Sequence, residues 1–281
     1  MSRYSHRSRT RRKNRGRFGP LFKLLCVGAV GVALTVGATV FFRVERVTVT
    51  GSQRYTQEEI IAASGIRTGD NLYALNKVRI GRNIRSALPY IEKLSINRAL
   101  PSTILITVSE WEAVARIAVP DPARAAAVQP EETENGSQGP LETAQEPWLI
   151  SVKAHLLEPA PADSTVLLVT GLTPLSPQAG STLEVPEEEE TRLSALISLL
   201  EALERAELFA EVSAVRLDST QLSVRYADRF DVKMKLNADF DYNIRLMRAV
   251  RQQIEAEHGE AAAGSIDLTQ EKYDAVFDSA G

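Results

Sequence analysis

Val47-Thr48-Val49-Thr50-Gly51 decides how the first folded segment of this chain is read. Valine alternates with threonine and a glycine follows, the period-two pattern of a half-buried strand closed by a turn. Thr56 then precedes Glu59 by three positions, a capping box that opens a short helix carrying Ile60 and Ile61 and ending at Gly65. Asn76 is a good N-cap for a second helix, with Val78, Ile80, Ile84 and Leu88 on its apolar side and Pro89 as its stop. Strands are predicted over Ile91–Arg98 and Thr103–Glu110, the second with Ile104, Ile106 and Val108 alternating. The order is strand, helix, helix, strand, strand.

On the N-terminal side, Leu24 to Phe42 is an uncharged run of 19 residues. A bilayer core of about 30 Å needs about 20 apolar residues at 1.5 Å each. Residues 21–42, broken only by Lys23, supply that length and predict a single transmembrane helix. Arg3, Arg7, Arg9, Arg11, Arg12, Lys13, Arg15, Arg17 and Lys23 precede or open it with no acid among them. Positive-inside bias therefore predicts a cytoplasmic basic tail over 1–20, with the bulk of the chain extracytoplasmic. The formal net charge is -3, so setting aside those nine cations leaves -12 for the rest. Val36-Gly37-Ala38 resembles a signal-peptidase site, but the apolar run outlasts the 7–15 residues or so of a secretory segment. The tail has only Tyr4 and Phe18 as aromatics and adjoins the span, so anionic lipid, not nucleic acid, is its expected partner.

Ala29, Ala33 and Gly37 repeat at four-residue spacing, a small-residue face on which a second membrane helix can pack closely. Cys26 is the one cysteine and lies in the apolar run, which excludes a disulfide framework or a cysteine-based zinc site in the body.

Downstream, residues 119–146 are rich in Pro, Glu and Gly and poor in large apolar residues, the composition of a flexible linker or insertion. It separates a first domain over 43–118 from a second over 147–281. The second domain holds Trp148-Leu149-Ile150, a short buried strand at Val166–Val169, and a helix with Leu193, Leu196, Ile197, Leu200 and Leu203 behind the acidic run Glu187–Glu190. A hairpin follows, with Leu222, Val224 and Tyr226 alternating before Asp228 and Phe230, Val232, Met234 and Leu236 after it. A last helix carries Phe240, Ile244, Met247, Val250 and Ile254, and the chain closes through Ile266-Asp267-Leu268 and Tyr273–Phe277. The fold class is α+β: one membrane helix, a β-α-α-β-β domain, then a mixed α/β domain with an antiparallel sheet.

The first domain resembles a POTRA domain, carried by Val47–Gly51, Gly69-Asp70-Asn71-Leu72, Leu88-Pro89-Tyr90-Ile91 and the run Asn97–Ile104. Its place just after one N-terminal span resembles the cell-division family FtsQ/DivIB. Trp148–Ile150, Val169-Thr170-Gly171-Leu172 and Ile266–Leu268 are similar to parts of that family's β domain, although Ser151 stands where an acid is common and the linker is long. The resemblance implies a single-pass protein of the bacterial cell membrane at the division septum. It implies partners of the DivIC/FtsB and FtsL type, bound outside the membrane through Tyr273, Asp274, Ala275, Val276 and Phe277, with support from Lys233 and Lys235. Arg98 is either a further partner contact or an ordinary charge at a strand end.

Chemistry is sparse. His6, His155 and His258 have no GxSxG, SxxK or HExxH pattern around them, and consecutive acids at 187–190 diverge around a helix axis. The expectation is no enzyme, no cofactor, no metal and no small-molecule substrate. A translocation receptor or chaperone bearing a POTRA domain, or a membrane-anchored cell-wall hydrolase, are the alternatives.

Overall fold

The computed structural model describes residues 18–120, 145–259, 261–269 and 276–279. Helix α1 (Phe18–Phe41) is 24 residues long, about 36 Å at 1.5 Å per residue, and its window Gly19–Gly37 is long and apolar enough to cross a membrane. It starts three residues before the predicted span.

Next come β1 (Arg46–Thr50), α2 (Gln57–Ser64), α3 (Lys77–Ala87), β2 (Ile91–Ala99) and β3 (Thr103–Glu110). The predicted order is present. β1 runs parallel to β3 and β3 antiparallel to β2, so β3 is central. The capping signals work as read: Thr56 Oγ1 accepts from Glu59 N, Glu59 Oε2 accepts from Thr56 N at 2.8 Å, and Gly65 closes α2 at φ 68°. Asn76 Oδ1 accepts from Val78 N and Arg79 N at 3.0 and 3.1 Å. Ile60, Leu72, Ile80, Ile84, Ile104 and Ile106 fill the core. Val78, expected on the apolar face, is 72% exposed, because at 3.6 residues per turn it points away from the buried Ile80 and Ile84.

A second sheet has nine strands: β4 (Ala115–Pro120), β5 (Gln145–Ile150), β6 (Leu156–Pro159), β7 (Leu167–Thr170), β8 (Val212–Leu217), β9 (Gln221–Tyr226), β10 (Phe230–Lys235), β11 (Gly264–Asp267) and β12 (Val276–Ser279). Their order is β12-β11-β10-β9-β8-β7-β4-β5-β6. Helices α4 (Glu190–Arg205) and α5 (Phe240–His258) bury Leu196, Leu199, Leu203, Ile244 and Met247 in one core with Val215, Val224 and Val232.

The α+β class holds, and two details of the second sheet sharpen it. The sheet is mixed: β4/β7, β7/β8 and β10/β11 are parallel. Parallel neighbours need a long crossover, and α4 between β7 and β8 and α5 between β10 and β11 provide one. Residue 118, the expected end of the first domain, falls within β4. Ala115, Ile117 and Val119 are buried in the second core, and β4 pairs with β5 up to Pro120↔Gln145. The insertion is thus the connection of a β4–β5 hairpin; residues 121–144 lie outside the described residues.

The two sheets meet directly. Tyr90, just before β2, joins Leu149 of β5 and Leu157 of β6 in a small buried cluster against Tyr55, Trp111 and Val166.

Candidate partner-binding edge

The nine-stranded sheet ends at β12, one of its two edge strands, and the residues that place it come from α5 and the β9–β10 hairpin. Arg229 Nη2 donates to Glu255 Oε1 at 2.7 Å, and Arg251 Nε donates to the same oxygen at 2.9 Å. Arg251 Nη1 also donates to Glu211 Oε2 at 2.5 Å and to Tyr226 Oη at 3.1 Å. Hydrogen bonds from Arg251 and then Arg229 hold the Glu255 carboxyl below its ordinary pKa. It ties α5 to the hairpin.

From this clamp the chain turns into β11. Arg229 Nη1 donates to Ala262 O at 3.2 Å, and Gly264 N donates to Arg229 O at 3.2 Å, which sets the start of the strand. β11 then runs parallel to β10, Phe230↔Gly264 through Lys233↔Asp267. β12 lies antiparallel on its other side, with Ile266↔Phe277 and Asp267↔Val276. An edge strand turns the N–H and C=O groups of every second residue away from its neighbour, a row able to pair with an incoming strand.

Of the residues expected at the partner site, Val276 and Phe277 are on this edge strand, while Tyr273, Asp274 and Ala275 lie outside the described residues. Lys233 and Lys235 are on β10, separated from β12 by β11. Lys233 stands opposite Asp267, whose carboxyl is held below its ordinary value first by the Thr269 hydroxyl and amide and only then by Lys233. Lys233 is exposed on the wet face beside Arg216, Arg225 and Asp231, so it flanks the edge without belonging to it.

Arg98 is on β2, in the three-stranded sheet, and not on that edge. Its Nε donates to Leu72 O at 2.7 Å and its Nη2 to Leu75 O at 3.2 Å, so the guanidinium fastens the segment between α2 and α3. Ala29 and Ala33 are exposed along α1, as is Gly37. The clamp residues Arg229, Arg251, Glu211 and Glu255 were not anticipated. Only the Arg251–Glu255 spacing of four on one helix was visible in the sequence.

Residues 42–111, from the end of α1 through β3, match the family model of the POTRA domain, FtsQ-type. Through this segment the chain is similar to the FtsQ/DivIB family. It is 34% identical over 93 residues to the cell division protein FtsQ of Corynebacterium glutamicum, covering 31% of this chain and 41% of that protein. It is 32% identical over 92 residues to FtsQ of Geotalea daltonii, covering 33% of each. It is 36% identical over 74 residues to the cell division protein DivIB of Clostridium botulinum, covering 26% of this chain and 28% of that one. The alignments therefore span less than half the length of these relatives, and a third or less of this chain.

Proposed function

We propose that this chain is a bitopic scaffold of the bacterial division machinery, with its basic N-terminus in the cytoplasm and its folded body outside, concentrated at the septum. In this reading residues 43–114 form the FtsQ-type POTRA domain, and the nine-stranded unit from Ala115 onward is the family's β domain. It binds small bitopic division proteins of the FtsB/DivIC and FtsL type and performs no chemistry of its own. One observation carries the binding reading: β12 is a sheet edge near the end of the chain, and the strand it pairs with is held in register by the Arg229 clamp. An enzymatic reading gains no support from His155, whose ring stacks on Trp111 at 5.0 Å and which meets Ser151 Oγ through its backbone N–H.

The test removes the edge and keeps the core. Deleting residues 272–281 takes away β12, while the pairing of β11 with β10 on its other side involves none of the deleted residues. The shortened chain should keep a cooperative unfolding transition yet lose co-purification with FtsB/DivIC-type partners. Undiminished capture by the truncated chain defeats the edge assignment. Normal division on depletion, together with a diffuse envelope signal from a fluorescent fusion, defeats the scaffold.

A further inference from the structure

Asp70 and Glu92 bracket 21 residues, 71–91, that contain Lys77, Arg79, Arg82 and Arg85 and no acid. All four cations are on α3, all are exposed, and among the described residues none is in an ion pair. This stands out in a chain whose residues beyond Lys23 sum to -12. Two of the cations occupy the first turn of α3, where the helix dipole is positive and acids, not bases, stabilise. Local stability does not account for them there.

Position does. The segment leading into α3 is laced to the end of α1: Leu72 N donates to Phe42 O, Val44 N to Asp70 O and Gly69 N to Val44 O, each at 2.8 Å, and Arg43 bridges Asn71. Tyr73 sets its ring edge-on to Phe42 at 5.1 Å, lies near the Arg98 guanidinium at 5.6 Å, and remains 53% exposed. A half-exposed tyrosine beside a guanidinium, packed on the residue that follows an apolar helix, has the make-up of a bilayer–water interface. Lys77 is four residues on, so its Cα lies within about 14 Å of that of Tyr73. Val78, exposed between Lys77 and Arg79, adds an apolar contact to the charged rim.

We propose that Tyr73 and the basic face of α3 rest on anionic phospholipid headgroups of the leaflet from which the body emerges, fixing the tilt of the first domain on the membrane. The span and the laced segment limit how far α3 can move from the surface, and anionic headgroups there would attract each nearby cation over about a Debye length, roughly 8 Å in physiological salt. The proposal rests on α1 being a span and not on the edge at β12.

The test uses the full chain in nanodiscs. Cys26 is the single cysteine, so Cys26→Ala with Val78→Cys places one spin label at the centre of the patch. Relaxation of the label by a nickel-chelating lipid reports contact with headgroups, and co-elution of chain and disc reports the anchor separately. In discs containing phosphatidylglycerol the label should relax several-fold more than in pure phosphatidylcholine. High salt should reverse the gain, and Lys77→Glu with Arg79→Glu should abolish it, while Arg79→Lys preserves it. Val78, Arg82 and Arg85 also face the loop around Gln178–Ser181. Equal relaxation in both lipids, or relaxation unchanged by the two charge reversals, would overturn the proposal and assign α3 to that loop or to solvent.

Discussion

The Arg54 guanidinium lies 3.7 Å over the Tyr90 ring, and both side chains donate to one oxygen of Glu158, at 2.6 and 2.7 Å. This joins the first domain to β6 of the second sheet. Its polar part is worth little, since Arg54 and Glu158 are 48% and 40% exposed and such pairs contribute about 0–1 kcal/mol. The apolar cluster beneath it should dominate. Leu157, fully buried against Tyr90 and Leu149, should lose about 2–5 kcal/mol on Leu157→Ala. Arg54→Ala should lose no more than about 1 kcal/mol. Chemical denaturation of both variants checks the ranking, and a larger loss for Arg54→Ala would reverse it.

Glu110 gives the same junction a pH dependence. Its carboxylate accepts from Ser52 Oγ at 2.5 Å and from Gln53 N and Arg54 N at 3.0 Å each. Burial pushes its pKa up, but these hydrogen bonds together outweigh it and leave the value below the ordinary 4.5. A carboxyl with a lowered folded pKa stabilises fully above its unfolded value, and that contribution is lost as pH falls from about 4.5 through the folded value. Glu110→Gln should cost about 1–3 kcal/mol at pH 7 and show a weaker loss between about pH 4.5 and acid unfolding. Parallel stability–pH curves for the two proteins would count against this assignment.

His155 carries a second acid-sensitive contribution. Burial lowers its pKa below the ordinary 6.5, ahead of the opposing hydrogen bond with the Ser181 backbone, and Lys153 lowers it further. Stability should therefore fall as pH drops from about 6.5 through the folded value, because the unfolded chain takes up the proton first. His155→Phe keeps an aromatic ring on Trp111 and should remove this slope, which for a single proton is at most about 1.4 kcal/mol per pH interval of one. Thermal melts between about pH 7 and 5, on either side of the ordinary histidine value, measure it.

These contacts show what the sequence could and could not carry. The β-α-α-β-β order was legible because each boundary has a local cause: the Thr56–Glu59 box, the Asn76 cap and the period-two valines and isoleucines of β1 and β3. The reach of β4 was not. Ala115–Pro120 alternates as well for one sheet as for the other, and its partners Gln145–Ile150 lie across the insertion. The hydrogen bonds of Arg98 were hidden for a similar reason, since nothing near it in sequence shows that the carbonyls of Leu72 and Leu75 converge on its guanidinium. The edge near the chain's end was expected from the resemblance; its clamp joins residues 211, 229, 251 and 255 across three elements and leaves almost no local trace.

Two glycines close strands by pressing against a neighbouring strand's carbonyl. Gly171 has φ +94°, and a Cβ there would meet Leu217 O at 2.0 Å; Gly51, at φ +91°, would place one 2.1 Å from Val108 O. Gly69 shares the positive φ with open space around it. Gly69→Ala should lose only the left-handed strain, about 1–2 kcal/mol, whereas Gly171→Ala adds a backbone clash and should lose about 2–4 kcal/mol. Equal losses in chemical denaturation would show that the close approach is relieved at little cost.

Arg229 separates the placement of the edge from its surface. Its guanidinium holds Ala262 O and Glu255, and its own carbonyl accepts from Gly264 N, so it sets where β11 begins without lying on β12. Arg229→Ala should cost about 1 kcal/mol through the lost bond to Ala262 O alone. If β12 is the binding edge, the variant should weaken partner capture several-fold although no contact residue has changed, because a looser β11 presents its neighbour in more than one position. Hydrogen exchange should quicken at the β11 amides and remain slow in β8 and β9, where the ladder does not depend on Arg229. Faster exchange in β11 with unchanged capture would place the partner elsewhere on the sheet.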